Sequence, residues 1–276
     1  MAESAAAGRY RLDLEYDGTD FAGWQVQPGE RTVQGVVEEI LGRVLGTAPR
    51  VTGAGRTDRG CHAAQQVAHF DAPAEKPGLE LARALRALLP PDVRLTRFAA
   101  VAPDFHARYG ALERGYVYRI GRRRSVFFPR YRWDLGCRLP LARMRQAAAG
   151  LQGEHDFRAY AIGDGGEEAE GVRSGICRVR HADWELAEGG YRFTIAADRF
   201  LTRMVRLLVG AMVAVGTGNG DPAEVAARLG GPPPDPRPAA APACGLTLAW
   251  VRYAGEPDAR MGRMRRPLGA PRNPRN

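Results

Sequence analysis

Apolar residues recur at two different spacings along this chain, and that alternation is what most constrains its fold. From Tyr10 to Tyr16 every second residue is apolar or aromatic, which predicts a half-buried strand. From Val33 to Leu45 the apolar residues recur at helical spacing, after Thr32 as an N-cap and before Gly46 as a stop. These two segments predict a helix packed on a sheet.

The same alternation continues along the chain. Further strands are predicted at residues 65–70, 92–99, 114–120, 175–186, 191–196 and 245–253. Further helices are predicted at residues 79–89, 141–151 and 200–215. The first half follows the strand-helix-strand-strand-helix-strand order of a ferredoxin-like unit, and the second half has the elements for another. The predicted class is therefore α+β.

Composition divides the chain into four segments. Residues 1–8 are expected to be a disordered N-terminus, and residues 9–104 an N-terminal α+β half. Residues 105–253 are expected to be a C-terminal α+β half. Residues 254–276 contain six arginines, four prolines and few apolar residues, which predicts a basic disordered tail.

The charge of the chain favours a polyanionic partner. The 276 residues carry a formal net charge of +9, and the pI is about 9.9. Lys76 is the only lysine, so the positive charge is almost entirely arginine, which makes forked contacts with phosphate. A GC-rich coding sequence would also enrich arginine, so the net charge carries more weight than the choice of arginine.

Other features exclude several classes of protein. The four cysteines, at positions 61, 137, 177 and 244, form no CxxC pair, which argues against structural zinc and a disulfide framework. No apolar run has membrane-spanning length, and the first eight residues lack the features of a signal peptide. We therefore expect a cytoplasmic protein with no membrane segment and no metal site.

A glycine-rich loop at residues 53–63 places one carboxylate between two arginines. Asp58 lies two residues after Arg56 and next to Arg59, and opposite charge favours the ionised form of a carboxylate. Asp58 is therefore a candidate nucleophile. The alternative is a structural ion pair between Arg56 and Asp58, since glycines at positions 53, 55 and 60 suit a tight turn equally well. The spacing matches neither a dinucleotide-binding nor a triphosphate-binding loop.

Several short blocks accompany the loop G-R-T-D-x-G-x-H-A in a fixed order. They are Tyr16-Asp17-Gly18-Thr19, Gly23-Trp24-Gln25, Thr32-Val33-Gln34-Gly35, Phe105-His106-Ala107-Arg108, Tyr116-x-Tyr118, Gly153-x-His155-Asp156-Phe157, Met204-Val205-Arg206, Ala241-Pro242 and Gly245-Leu246. Together they resemble the tRNA pseudouridine synthase A (TruA) family over residues 9–253. Arg59, Cys61 and Gln65 depart from the usual residues of the family, and none of them removes a group that the chemistry requires.

The resemblance implies both a fold and an activity. The fold is the pseudouridine synthase fold, with two ferredoxin-like, RRM-like halves joined through a central antiparallel or mixed sheet and an active cleft between them. The activity is isomerisation of uridine to pseudouridine in the anticodon stem-loop of tRNA, at positions 38, 39 and 40. The enzyme would be a homodimer, and it would need no cofactor because the isomerisation imports no group.

The resemblance also assigns roles to four residues. Asp58 would be the nucleophile, by a covalent route or through a glycal intermediate. Arg206, with Arg56 nearby, would keep that carboxylate charged and oriented, and Arg56 would help to hold a flipped nucleotide out of the stack. Tyr116 would stack on the uracil and exchange the proton at C5. Without the resemblance, Tyr116 and Tyr118 share one face of a strand, for which core packing is the usual explanation.

Other functions remain open from the residues alone. A non-catalytic, basic RNA-binding protein would bind RNA without Asp58. An N-glycosidase that uses Asp58 at C1′ would release free uracil. A pseudouridine synthase of the same chemistry could act on another RNA or on a small uridine compound.

Overall fold

The computed structural model of the protein describes residues 7–73, 78–163, 175–187 and 189–257. These residues form ten strands and five α-helices. The strands are β1 (Ala7–Tyr16), β2 (Thr52–Gly53), β3 (His62–Pro73), β4 (Val93–Val101), β5 (Glu113–Gly121), β6 (Trp133–Asp134), β7 (Gly153–Asp156), β8 (Ile176–Ala187), β9 (Gly190–Ala197) and β10 (Leu246–Arg252). The helices are α1 (Val33–Leu45), α2 (Gly78–Leu88), α3 (Leu141–Ala149), α4 (Met204–Gly216) and α5 (Pro222–Ala227).

All ten strands belong to one sheet, with the order β4-β1-β3-β10-β5-β9-β8-β7; β2 pairs with β3 and β6 with β5. The first half of the chain gives the order β4-β1-β3-β2, and the second half repeats it as β10-β5-β9-β8. Each half thus has the strand order of a ferredoxin-like unit, with two helices in the crossovers. The sheet is mixed, because β3 and β10 are parallel. The predicted α+β class, with two ferredoxin-like halves joined through one mixed sheet, is confirmed.

The two halves meet along one edge of β3. Near its C-terminal end this edge pairs with β2, through His69 and Ala68. Near its N-terminal end the same edge pairs with β10, through His62 and Ala63. The chain between β2 and β3 therefore lies where the two halves separate. Both halves contribute to one continuous core of buried side chains.

Helix α1 is the element that local sequence signals define best. It has the predicted bounds, and the Thr32 hydroxyl accepts a hydrogen bond from the Gly35 amide at 3.2 Å. Gly46 ends the helix in the left-handed conformation at φ 80°. Val33, Val37 and two further aliphatic residues of this helix are buried, and burial of each stabilises the fold by about 1.5–3 kcal/mol.

The structure differs from the prediction at several elements. The helix predicted over 200–215 begins at Met204, because Arg203 adopts a left-handed backbone conformation. Strand β1 begins at Ala7, within the range expected to be a disordered N-terminus. The short β2 is the fourth strand of the first ferredoxin-like unit, for which the sequence pattern gave no residues, and the short β6, β7 and α5 were not predicted. Residues 1–6 and 258–276 lie outside the described residues.

None of the helices in the described ranges is both long enough and apolar enough to cross a membrane.

Candidate active site

The loop that carries Asp58 leaves the sheet at β2 and returns at β3. Gln66 of β3 holds the first part of the loop, because its side-chain amide nitrogen Nε2 donates a hydrogen bond to the Gly55 carbonyl at 2.7 Å. The loop then closes in a turn, in which the Cys61 amide donates to the Asp58 carbonyl at 3.1 Å. Gly60 occupies the third position of this turn at φ 77°, which favours glycine there. The turn places Asp58 at the separation between the two halves.

Two further contacts anchor the middle of the loop. The Thr57 carbonyl accepts a hydrogen bond from the Trp24 amide at 3.1 Å, and the Thr57 hydroxyl lies 2.8 Å from the Tyr16 hydroxyl. Gly23 permits this approach, because its φ is 105° and a Cβ there would lie 2.6 Å from the Thr57 carbonyl oxygen. Trp24 covers Gly53, where a Cβ would meet the indole ring at 2.6 Å. Gly53 therefore allows close packing rather than a positive φ.

His62 follows the turn and bridges the two halves. Its Nδ1 accepts a hydrogen bond from the Gly18 amide at 3.1 Å, so Nε2 carries the proton. Nε2 lies 2.8 Å from the carbonyl oxygen of Arg130 and 3.2 Å from that of Cys244. Burial lowers the pKa of His62, and the nearby Asp17 carboxylate opposes that shift. These contacts give His62 a structural role.

Asp58 is paired with an arginine from the other half of the chain. Its Oδ2 lies 3.0 Å from Nη1 of Arg206, which belongs to the first turn of α4. Nε of Arg206 donates to the Ala241 carbonyl at 2.8 Å, and the Ala241 amide donates back to the Arg206 carbonyl at 3.0 Å. The side chain of Asp58 is 29% exposed and that of Arg206 is 16% exposed. Arg206 is therefore a fixed cation beside a carboxylate that solvent can reach.

The two arginines adjacent to Asp58 in sequence do not pair with it. Arg59 makes an ion pair with Glu30 at 2.8 Å. Arg56 is exposed, and its side chain makes no hydrogen bond or ion pair with any described residue. The alternative of a structural ion pair between Arg56 and Asp58 is therefore wrong, because Arg206 takes that place.

Tyr116 and Tyr118 share a face of β5 but differ in their surroundings. Tyr116 lies near Asp58 in the cleft, and its ring meets that of Phe200 edge-on with 5.0 Å between centroids. Its hydroxyl has no hydrogen-bond partner among the described residues, and burial raises the pKa of Tyr116. The Tyr118 hydroxyl donates to the Pro242 carbonyl at 2.8 Å, and the side chain is fully buried.

A cleft of about 1050 Å³ contains all four of the candidate residues named from sequence. Both halves form its walls, with residues 50–61 on one side and residues 108–116 and 198–206 on the other. Among the described residues, eight arginines and two aspartates line it: Arg50, Arg56, Arg59, Arg108, Arg114, Arg199, Arg203, Arg206, Asp58 and Asp198. This excess of positive charge suits a polyanionic ligand.

Arg114 is a site residue that sequence reasoning missed. Its guanidinium donates to the Ala54 carbonyl through Nε at 3.1 Å and Nη2 at 2.9 Å, and to the Asp198 carbonyl at 2.6 Å. It also donates to the carbonyls of Arg108 and Ala111. Burial lowers the pKa of Arg114. The only signal in the sequence was an arginine two residues before Tyr116 on a largely buried strand. Arg114 fastens the start of the Asp58 loop to the opposite half.

Within the described ranges, no group of three or more His, Cys, Asp or Glu side chains could hold a metal ion.

The buried thiol of Cys61 follows the turn, and burial raises its pKa to about 12, so the thiol stays protonated at neutral pH.

Comparison with known proteins identifies the family of the chain. A family model described as tRNA pseudouridine synthase matches residues 147–254. The chain is 44% identical to tRNA pseudouridine synthase A of Solidesulfovibrio magneticus, over 89% of this chain and 91% of that protein. It is 46% identical to the protein of the same name from Frankia casuarinae, over 91% of each chain. The corresponding protein of Chlorobium phaeovibrioides is 42% identical, over 88% of this chain and 98% of its own length. At this identity and coverage, the chain belongs to the tRNA pseudouridine synthase A family.

Proposed function

We propose that the protein isomerises uridine to pseudouridine in tRNA, with Asp58 as the catalytic carboxylate. The observation that carries this proposal is the ion pair between Asp58 and Arg206 inside an arginine-lined cleft. In the reaction the bond from ribose C1′ to uracil N1 breaks, the base turns, and C5 bonds to C1′. The hydrogen on C5 leaves as a proton and N1 gains one, so atoms and electrons balance without a redox partner.

Asp58 acts at the ribose in this proposal. Its Oδ2 is held by Arg206, whereas Oδ1 accepts no hydrogen bond from the described residues and is available to the substrate. Oδ1 either attacks C1′ directly or removes a ribose proton to give a glycal. The fixed cation beside Oδ2 orients the carboxylate, which is neutralised as an ester or an acid in this step and is regenerated when C5 bonds to C1′.

Tyr116 and Arg56 would hold the uridine. The Tyr116 ring lies in the cleft, and its hydroxyl has no hydrogen-bond partner among the described residues, so it is available to a bound base. Since burial raises the pKa of Tyr116, the hydroxyl stays protonated and donates a hydrogen bond to the base. Arg56 is exposed at the cleft, where its guanidinium can contact a phosphate of a flipped nucleotide.

The target that we propose is the anticodon stem-loop, at positions 38, 39 and 40, and the support for it is family membership. An enzyme that modifies tRNA works where tRNA is, so we also propose a cytoplasmic location.

We propose a homodimer as the working state. The support is an exposed apolar run at Val126, Phe127 and Phe128, where the first two are 86% and 83% exposed. Sedimentation of the wild-type protein should give twice the monomer mass. Phe127→Asp should shift the equilibrium towards the monomer if this run belongs to the interface. A wild-type protein that sediments as a monomer would contradict the dimer.

Tritium release tests the activity. Unmodified tRNA transcript with tritium at uracil C5 is incubated with wild-type protein and with Asp58→Asn. We expect release from the anticodon arm with wild-type protein only. Tight binding without release would favour a non-catalytic RNA-binding protein, and free uracil would favour an N-glycosidase. Release from another RNA or from free uridine, but not from tRNA, would move the proposal to a different substrate.

A further inference from the structure

Arg203 has the only positive φ among the described residues that are not glycine. Its backbone is left-handed, with φ 60° and ψ 5°, and it stands immediately before α4. It occupies the third position of a turn in which the Met204 amide donates to the Leu201 carbonyl at 3.1 Å. That position favours glycine, and an arginine there costs free energy that glycine would not.

No polar contact of the Arg203 side chain with the described residues offsets this cost in free energy. It is exposed, it makes no hydrogen bond or ion pair with any described residue, and it gives the helix no side-chain cap. Only its backbone serves the helix, because the Arg203 carbonyl accepts a hydrogen bond from the Leu207 amide at 3.0 Å. A strained residue whose side chain has no hydrogen-bond or ion-pair partner among the described residues points to a contribution made with a ligand.

The position of Arg203 indicates which ligand this is. It lines the same cleft as Asp58, and it precedes by three residues the Arg206 that holds the Asp58 carboxylate. An exposed guanidinium that lines the cleft of the reacting carboxylate and has no partner in the described part of the chain suits a phosphate group of the bound nucleic acid.

We propose that Arg203 contacts a backbone phosphate of the substrate RNA next to the target uridine, and that the left-handed backbone aims its guanidinium into the cleft. This inference rests on the proposed function, because the phosphate belongs to the tRNA substrate. The contact is independent of base identity and strengthens binding of the RNA rather than the chemical step.

The test compares three variants that separate the charge of Arg203 from the strain of its backbone. Arg203→Gly removes the charge and relieves the strain, Arg203→Asn removes the charge and keeps a residue that tolerates the left-handed region, and Arg203→Lys keeps the charge. Arg43→Ala is the matched control, since Arg43 is an exposed arginine on α1 outside the cleft lining. Each variant is measured for thermal unfolding and for anisotropy of labelled, unmodified tRNA transcript at several salt concentrations.

We expect Arg203→Gly to unfold at the same or a higher temperature than wild type and to bind tRNA about tenfold more weakly. Its slope of log affinity against log salt should fall by about 1. Arg203→Asn should lose the same affinity, and Arg203→Lys should keep most of the slope. In turnover, KM should rise while kcat stays within about twofold of wild type.

Affinity and salt slope that are the same in Arg203→Gly as in Arg43→Ala would overturn the inference. A stability loss in Arg203→Gly would also overturn it, because the side chain would then serve the fold. Failure of this inference can be distinguished from failure of the proposed function. A wild-type protein that binds tRNA and releases no tritium would contradict the activity and leave the phosphate contact standing, whereas a wild-type protein that does not bind tRNA would overturn both.

Discussion

At the scale of single residues, Asp58 depends on a partner that is distant in sequence. Of the two arginines in the same loop, Arg59 pairs with Glu30 and Arg56 does not pair with Asp58. The ion pair is made by Arg206 instead. Arg206 in turn is held by both backbone groups of Ala241. The orientation of the Asp58 carboxylate is thus set by tertiary contacts, and it should respond to changes in Arg206 more than to changes in Arg59.

We expect Arg206→Met to lower the single-turnover rate of tRNA isomerisation about 10- to 100-fold. The reason is that a hydrogen bond to a charged group contributes about 1.5–3 kcal/mol. Arg59→Met is the matched control, because its exposed ion pair with Glu30 is worth little and the rate should stay within about twofold. A larger loss in Arg59→Met than in Arg206→Met would contradict the assigned pairing.

The two tyrosines of β5 should separate stability from activity. Tyr118→Phe leaves the Pro242 carbonyl without its donor, so the free energy of unfolding should fall by about 1 kcal/mol. Tyr116→Phe removes a hydroxyl without a partner among the described residues, so stability should stay unchanged while the isomerisation rate falls about tenfold. Urea unfolding and tritium release measure the two effects. Equal stability losses in both variants would show that the Tyr116 hydroxyl also serves the fold.

At the scale of elements, the turn Asp58–Cys61 is the part of the site that its own sequence specifies best. Gly60 at φ 77° closes the turn, and a Cβ there would approach the Cβ of Ala243 at 3.3 Å. Gly55 has no positive φ, and a Cβ there would meet nothing within 4 Å. Gly60 is therefore required by the backbone conformation of the turn, whereas the backbone at Gly55 accepts a residue with a Cβ.

We expect Gly60→Ala to reduce the free energy of unfolding by about 1–2 kcal/mol, which is the cost of a left-handed conformation for a residue with a Cβ. Gly55→Ala should stay within about 0.5 kcal/mol of wild type. Urea unfolding of both variants gives the comparison. If Gly55→Ala proved the more destabilising, the turn geometry assigned to Gly60 would be wrong.

At the scale of the whole molecule, two buried histidines of β3 connect the halves. His62 lies 2.8 Å from the Arg130 carbonyl oxygen of the second half, and Nδ1 of His69 accepts from the Ala107 amide at 3.2 Å. Burial lowers the pKa of His69 from 6.5 to about 4, and His106 and Arg9 add to that shift. Protonated histidine cannot accept the Ala107 hydrogen bond through Nδ1, so acid should loosen this junction.

Stability should therefore fall as the pH drops from about 6.5 to about 4. In that interval the unfolded chain has His69 protonated and the folded chain does not, so protons favour unfolding. His69→Asn removes the titrating group and offers an oxygen that can accept from Ala107. The measurement is the unfolding free energy against pH, and the variant should show the shallower dependence. Identical curves for the two proteins would contradict a pKa of about 4 for His69.

What the sequence determined by itself is local. Helix α1 has its predicted bounds because its period, its Thr32 cap and its Gly46 stop all lie within a few residues of one another. The strand pattern was sufficient for the α+β class, and the family motifs named four of the residues that line the cleft. The net charge pointed to a polyanionic partner without any structure.

What only the tertiary structure decided involves residues far apart in the chain. Asp58 and Arg206 are 148 residues apart, and they meet because β3 and β10 pair in parallel where the halves join. The same junction brings Arg114 to the Ala54 carbonyl. The left-handed conformation of Arg203 also delays the start of α4 to Met204, whereas the sequence pattern predicted a start at residue 200. Periodicity and propensity describe neighbours in sequence, whereas these contacts depend on the order of strands in the sheet.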